Sequence, residues 1–428
     1  MRHLIIKNVG PIKSIDVELC RFNFIIGPQS SGKSTIAKVM STCEWIEKEV
    51  ATTLDSEIIG DGEAFRILIE KFHKMYGYFV PDSYIEYDTD VIKLKYENGN
   101  LKISLNDDAQ YTRQKISYIP AERNMVTLPE LDGFEFKSTN LKSFLFDWWR
   151  AREAYTPDNK TEVLSLGYKY CYDKKRSENR DRILHSNGVT YDISLSDSSS
   201  GLQSITPLYV MLQYYSDQYF REYDIRSSYK DDTKLNKMRK ALMEKYILRP
   251  IKKDFKVSEI KGIIDEFNNR LNMMDEGART LYESYQNAMT RLTVPDRITY
   301  IIEEPEQNLF PDAQIQLINY ILHQCTSERK HCCTITTHSP YILFALNNCI
   351  MGGIVGNDVP EKTKKTIQSN TAWISPDLVS IYEVQNGGLV RVQDEDGLLE
   401  DNYLNKSYKA LSSEYLRLLQ HYETKAED

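Results

Sequence analysis

Eight residues near the start constrain this chain more than any other feature. Gly27-Pro28-Gln29-Ser30-Ser31-Gly32-Lys33-Ser34 fits G-x-x-x-x-G-K-[ST], between the apolar run FNFII and a stretch of helical periodicity. The pattern has a mechanical reason. Glycines let a backbone wrap a phosphate, successive N–H groups point inward, and a helix start adds positive potential. Lys33 suits the β- and γ-phosphates of ATP, Ser34 suits Mg²⁺, and Thr35 completes the segment. The bland alternative is a chance glycine turn before a helix. The strand–loop–helix setting weighs against it.

Composition narrows the class. The chain has 428 residues, 62 Asp+Glu against 54 Lys+Arg, and a net charge of −8. That length predicts two or three domains. The negative balance excludes a uniformly basic nucleic-acid coat but leaves room for a local basic groove. No run reaches ~18 consecutive apolar residues, and the charged start is unlike a signal peptide, so no membrane span or secretion is expected. Seven cysteines, odd in number and without C-x-x-C, fit buried thiols in a reducing cytosol. The expectation is a soluble, cytoplasmic α/β protein.

Periodicity gives the order of elements. Residues 3–26 predict two strands, LIIKNV and FNFII, and residues 33–48 a helix with Ile36, Val39, Met40 and Cys43 on one face. Val91–Leu105 predicts a hairpin about Asn98-Gly99, and ISYIP a short strand. A second Asn-Gly turn at 187–188 precedes VTYDISL. A helix is expected from near Leu202, and residues 209–297 stay helical, with Ile260, Ile263, Ile264, Phe267, Leu271 and Met274 on one stripe. Strands return at ITYII and CCTITT around a helix at 312–325. A hairpin follows about Asn386-Gly387, then a helix over 403–423. Sustained heptads are absent, which argues against a long coiled-coil arm.

Two strand ends carry chemistry. ITYIIEEPEQNLFP is an apolar strand ending in carboxylates, the form of a Walker B segment. Glu303 would hold Mg²⁺ through its water shell, and Glu304 would polarise the attacking water as general base. An acidic cap on a strand is the plain alternative. His338, in TTHSP after the next apolar strand, is placed to donate to a γ-phosphate; a histidine simply satisfied in the core is the competing reading.

These segments together resemble the ABC-type ATPases of the RecF, SMC and OLD kind. The resemblance rests on LIIKNVGPI…FIIGPQSSGKST, Ser199-Ser200-Gly201-Leu202-Gln203, EEPEQNLFP and TTHSP, and is nearest to the compact ATPases of bacterial anti-phage systems of the Septu and PARIS types. It implies a P-loop head with a mixed sheet flanked by helices, carrying a helical insertion. Residues 1–208 would be the first part of the head, 209–297 the insertion and 298–428 the remainder. It further implies a homodimer or higher homo-oligomer closed by ATP and Mg²⁺, with Ser200, Gly201 and Gln203 as a signature loop serving the opposite subunit. The partner it implies is a nuclease or toxin effector, or DNA, in antiviral defence or DNA repair. A scaffold that holds ATP without turnover is the alternative, and a membrane-transporter motor a weaker one. Phe310 departs from the family, which often has His there, and the interval from Gln203 to Ile298 is unusually long. YIPAER (118–123) falls where the family has its Q-loop, with Gln114 or Glu122 as sensor and Arg123 as a phosphate ligand, or a plain structural corner.

Residues 234–256 carry nine Lys/Arg against Glu244 and Asp254, a possible DNA or RNA surface or a solvated face. Tyr214, Tyr215, Tyr219 and Tyr223 would stack on bases or form a packing stripe. Asp394-Glu395-Asp396 reads as a solvated acidic turn, so no built-in nuclease is expected.

Overall fold

The computed structural model describes residues 2–106, 108–128, 139–186, 191–223, 232–326 and 328–426. Its first 26 residues form three strands where the alternation predicts two. β1 (Arg2–Val9) and β2 (Ile12–Leu19) pair antiparallel before β3 (Phe22–Ile26). In β2 the buried Ile12, Ile15, Val17 and Leu19 are separated by exposed polar residues, which hides the strand from a reading based on apolar runs. α1 (Lys33–Thr53) buries Ile36, Val39, Met40 and Cys43 as expected and runs one turn further. α2 (Gly62–His73) and β4 (Phe79–Thr89) follow. The hairpin β5 (Ile92–Glu97) and β6 (Asn100–Leu105) turns at Asn98 and Gly99, both at positive φ as a type I′ turn requires. The resulting five-stranded sheet has the order β2-β1-β4-β5-β6.

β7 (Gln114–Ile119) is the ISYIP strand, and α3 (Asn140–Arg152) comes after it. β8 (Thr161–Glu162), β9 (Tyr168–Tyr172), β10 (Asp181–His185) and β11 (Asp192–Ser194) form a small antiparallel sheet. The Asn187-Gly188 turn and the first two residues of VTYDISL lie outside the described residues; of its described part, Asp192–Ser194 is strand. α4 (Ser200–Gln213) starts two residues earlier than expected and continues as a π turn, Tyr214–Gln218, to Arg221.

The main sheet has the order β15-β14-β3-β13-β12-β7, using β12 (Arg297–Glu303), β13 (Cys332–Thr337), β14 (Val379–Gln385) and β15 (Gly388–Arg391). All neighbours are parallel except the edge pair β14–β15. β3 is buried at every position and β12 at all but its first, as a strand covered on both faces must be. Ile25, Tyr118 and Ile301 face α1 and the five-stranded sheet. Phe24, Tyr300, Ile302 and Ile335 face α3, α4, α8 (Pro311–Thr326) and α9 (Pro340–Val355). The protein is thus a mixed α/β molecule with a largely parallel sheet flanked by helices.

The long helical stretch divides in two. Tyr214, Tyr215 and Tyr219 are buried in the core of the sheet, ring against ring at 5.0 and 5.1 Å, so the packing stripe is what forms and they do not stack on bases. Beyond the described gap, α5 (Asp232–Met243), α6 (Ile260–Asn272) and α7 (Glu276–Thr293) make smaller clusters: Leu235, Met238 and Leu242 against Ala288 and Leu292, and Ile247 against Phe267 and Ala278. Met274 leaves the predicted stripe. α6 has already ended, and Met274 stands at φ 60°, 82 % exposed. Within the basic run Arg249 pairs with Glu244 and Lys252 with Glu259, each at 2.7 Å. All seven cysteines are free. Among the described residues no helix is long and apolar enough to cross a membrane, and α10 (Tyr403–Ala426) ends the fold.

Candidate functional site

The site is assembled from the C-terminal ends of adjacent parallel strands, where open α/β sheets place their ligands. β3 delivers the glycine loop, its neighbour β13 delivers His338, and β12 delivers the carboxylates. Gly27 takes φ 151°, and a Cβ there would stand 2.9 Å from Ser31 Oγ and 3.1 Å from Val384 Cβ. Gly32 takes φ 111° at the start of α1, with Ile12 Cδ1 2.5 Å from where a Cβ would be. Both glycines of the motif are therefore required by the backbone and by space.

Lys33 is only 5 % exposed, and its Nζ donates to the carbonyls of Gly27 and Pro28, both at 2.8 Å. Burial lowers its pKa from the ordinary lysine value, while Glu304 and Glu306 act against the shift. The ammonium thus spans the loop that it would leave to meet a phosphate. Ser31 Oγ is buried without a hydrogen-bond partner, a free hydroxyl within the same cradle. These features fit a polyphosphate.

Glu303 is 5 % exposed and accepts a hydrogen bond from Tyr118, whose strand β7 lies beside β12. Burial pushes its carboxyl above the usual range. The hydrogen bonds from Tyr118 and Ser34 and the charge of Lys38 oppose that shift. A buried carboxylate in contact with the Ser34 hydroxyl is an oxygen pair suited to Mg²⁺.

Glu304 has a different setting. Its φ is 44°, the left-handed region, and its N–H donates to Thr336 O at 2.9 Å. The carboxylate is partly exposed, and Glu304 Oε1 stands 3.7 Å from His338 Nδ1. Glu306, to which the sequence pattern assigns no role, is buried. Its Oε1 accepts the His338 N–H at 2.8 Å and lies 3.5 Å from His338 Nδ1. His338 itself is half exposed. Sequence holds a faint signal for Glu306, a third carboxylate in EEPEQ.

Of the two readings of Arg123, the structural corner is the one that forms. The side chain does not reach toward phosphate; it is fully buried and spends its guanidinium on backbone. Nη1 donates to Glu303 O at 3.0 Å, Nη2 to Glu304 O at 2.9 Å and Pro305 O at 3.2 Å, and Nε to Ser204 O at 3.1 Å. It bolts the carboxylate turn to α4. Gln114 is also displaced from its expected role: it opens β7, at the opposite end from the site, and its Oε1 accepts from Thr299 at 2.5 Å. Glu122 lies close enough to raise the Glu303 pKa.

The Ser199–Gln203 loop is built separately. Ser199 caps α4 by accepting from Leu202 N at 3.5 Å, and Ser200 is exposed on the first turn beside Gly201. Gln203 turns its amide back into its own loop, donating to Ser196 O at 2.7 Å and Ser198 O at 3.0 Å. Gly201 has Asn308 O 3.0 Å from its Cβ direction, so the loop abuts the segment after the carboxylates. Among the described residues no hydrogen bond joins it to Gly27–Ser34. Phe310, at the end of that segment, is 85 % exposed. Asp394 closes a turn, accepting from Leu398 N at 2.8 Å, and Glu383 accepts from Tyr403 N at 3.1 Å.

No protein-family model matches the chain, and no curated protein matches it. Solved structures of similar trace include an SMC head domain from Thermotoga maritima (10% identity, 92% of this chain and 100% of that one, TM-score 0.38). They also include the recombination mediator RecF (12% identity, 91% and 97%, TM-score 0.30) and an ATP-binding cassette of an ABC transporter in its ADP conformation (11% identity, 93% and 93%, TM-score 0.30). At such identities and scores it is the residue geometry that bears on function.

Proposed function

We propose that the protein is a Mg²⁺-dependent ATPase whose two half-sites are completed by a second copy of the chain. One observation carries this reading: Lys33, Ser34, Glu303, Glu304 and His338 converge at the ends of three adjacent strands, while the exposed start of α4 at Ser200-Gly201 makes no bond to that site. ATP supplies a phosphoanhydride whose cleavage needs charge neutralisation and an oriented water. Backbone N–H groups of residues 31–34 and the Lys33 ammonium bind phosphate, Lys33 exchanging its carbonyl partners for phosphate oxygens. Ser34 and Glu303 hold Mg²⁺. Glu304, kept beside His338 by its left-handed backbone, takes the proton of the attacking water, and His338 positions the terminal phosphate. Ser200 and the free N–H groups of α4 serve the nucleotide of the partner subunit.

The finer reading is a switch that regulates a nuclease or toxin effector, or acts on DNA, in antiviral defence or DNA repair; it rests on the motif resemblance alone. A second reading, an ATP-holding scaffold with little turnover, is favoured by one feature: Glu303 is buried and already hydrogen bonded to Tyr118. Phosphate release under single and multiple turnover separates the two. A switch gives steady turnover that Lys33→Ala abolishes, and a scaffold gives none.

A further inference from the structure

Away from the glycine loop, a cavity of about 710 Å³ opens beside edge strand β7, among α1, α2, α3 and the continuation of α4. Pockets of about 300–1,000 Å³ are the size that holds small organic ligands. No residue assigned above to phosphate, metal, water or signature contact lines it. Its lining includes four cations, Lys48, Arg113, Lys115 and Arg150, and no carboxylate. In a chain richer in Asp+Glu (62) than in Lys+Arg (54), that is a marked local bias. Lys115 is paired with Asp147 at 2.8 Å. Arg150 meets tyrosines: Nε donates to Tyr214 Oη at 3.3 Å, and its guanidinium centre lies 5.0 Å from the centre of the Tyr219 ring.

The walls are aromatic, with Trp45 from α1, Phe72 from α2 and Tyr118 from β7. Between them His73 is 2 % exposed, and neither ring nitrogen has a hydrogen-bond partner. Its ring centroid lies 4.8 Å from that of Phe72 and 5.2 Å from that of Tyr118. Buried polar groups are nearly always paired, so an unmatched imidazole at a cavity wall marks a place for a ligand's polar edge. Guanidinium groups suit phosphate, and flat aromatic walls suit a base.

We propose that this cavity is a second ligand site that takes a free mononucleotide, its base against the aromatic walls and its phosphate toward Arg113 and Arg150. The site adjoins the reaction centre through Tyr118, which lines the cavity and donates to Glu303.

The test uses the full chain carrying Lys33→Ala, so that the glycine loop does not compete, and the fluorescent probe N-methylanthraniloyl-AMP followed by anisotropy. The expected result is saturable binding of one probe per chain, displaced by AMP and weakened at least about tenfold by Arg150→Ala and by Trp45→Ala. Each variant is first shown to keep the parent circular dichroism and melting temperature; Arg150→Gln replaces any that does not. Absence of saturable binding up to millimolar probe overturns the proposal. So does binding unchanged by both variants, or displacement by a short single-stranded DNA but not by AMP. Because the readout is binding without the Lys33 loop, failure of ATP hydrolysis in the parent protein leaves it untouched.

Discussion

The glycine loop and the Ser199–Gln203 loop are built on opposite plans. Around the first, every element is cross-linked: Lys33 to two carbonyls, Arg123 to three carbonyls of residues 303–305, and Glu306 to the His338 amide. Around the second, the side-chain bonds of Ser199 and Gln203 stay within residues 196–203, and Ser200 faces solvent. A cross-linked half-site and an exposed helix start cost different things to build. The first orders groups that would otherwise repel or lose solvation, and the second leaves its N–H groups open for a ligand. On the proposed function, one half of the chemistry is held in place and the other is displayed. Arg123 ties the carboxylate turn to α4 through Ser204 O, at the second turn of that helix.

The sharpest break would come at Glu304. Glu304→Gln keeps the shape of the turn and removes the proposed base, so turnover should fall by about 10²–10³-fold while ATP affinity stays near the parent value. Nucleotide titration and steady-state phosphate release on the same sample decide it. Unchanged turnover removes Glu304 from its role. Next in size is Arg123→Ala, which removes four hydrogen bonds to backbone carbonyls and should destabilise the fold by about 3 kcal/mol or more. Denaturant unfolding measures this, and a loss below 1 kcal/mol would show that the bolt is not needed.

A pH series tests the buried sheet itself. His331 accepts from Ile298 N at 3.1 Å through Nδ1 and stands 3.0 Å from Ser216 O through Nε2, and burial lowers its pKa from 6.5 to about 4. Between those values the unfolded chain binds the proton and the folded one does not. Its contribution is therefore whole above pH 6.5 and is lost as pH falls toward 4, about 2 kcal/mol by pH 5. Glu44, pushed up to about 7 by burial, works in the opposite direction, so the readout is the difference between parent and His331→Gln. That difference should shrink from pH 7 to pH 5; a constant one contradicts the assignment. The smallest effect belongs to the exposed helical region. Arg249→Ala breaks the Glu244 pair and should move the melting temperature by less than about one degree.

What could be read in advance follows the range of the interactions. The glycine loop, β7, β12, β13 and the hairpins at Asn98-Gly99 and Asn386-Gly387 announce themselves within a few residues, because turn chemistry and apolar runs are local. β2 is hidden because its charged outer face interrupts the apolar pattern, and the start of β4, with Pro81 and Asp82 exposed, carries little pattern at all. Arg123 stays undecided in the sequence for a different reason. Its partners lie 81 to 182 positions away, and no local rule shows that a guanidinium will be used up on backbone carbonyls. Glu306 and the Tyr118 hydroxyl share that obscurity: Glu306 bonds to an amide 32 positions on, and Tyr118 to a carboxylate 185 positions on. The tyrosine stripe shows the limit of spacing alone, which fits a core and a base-stacking face equally well.

The measurement that tests the central claim most directly is a complementation assay between two inactive chains. Lys33→Ala removes the phosphate half and Ser200→Arg blocks the displayed half. Each alone should hydrolyse ATP at background rate. Mixed in equal amounts, random two-fold pairing joins one intact glycine loop to one intact Ser200-Gly201 loop in half of the dimers, so activity should return to about a quarter of the parent value. A mixture no more active than its parts would contradict a site shared between two copies.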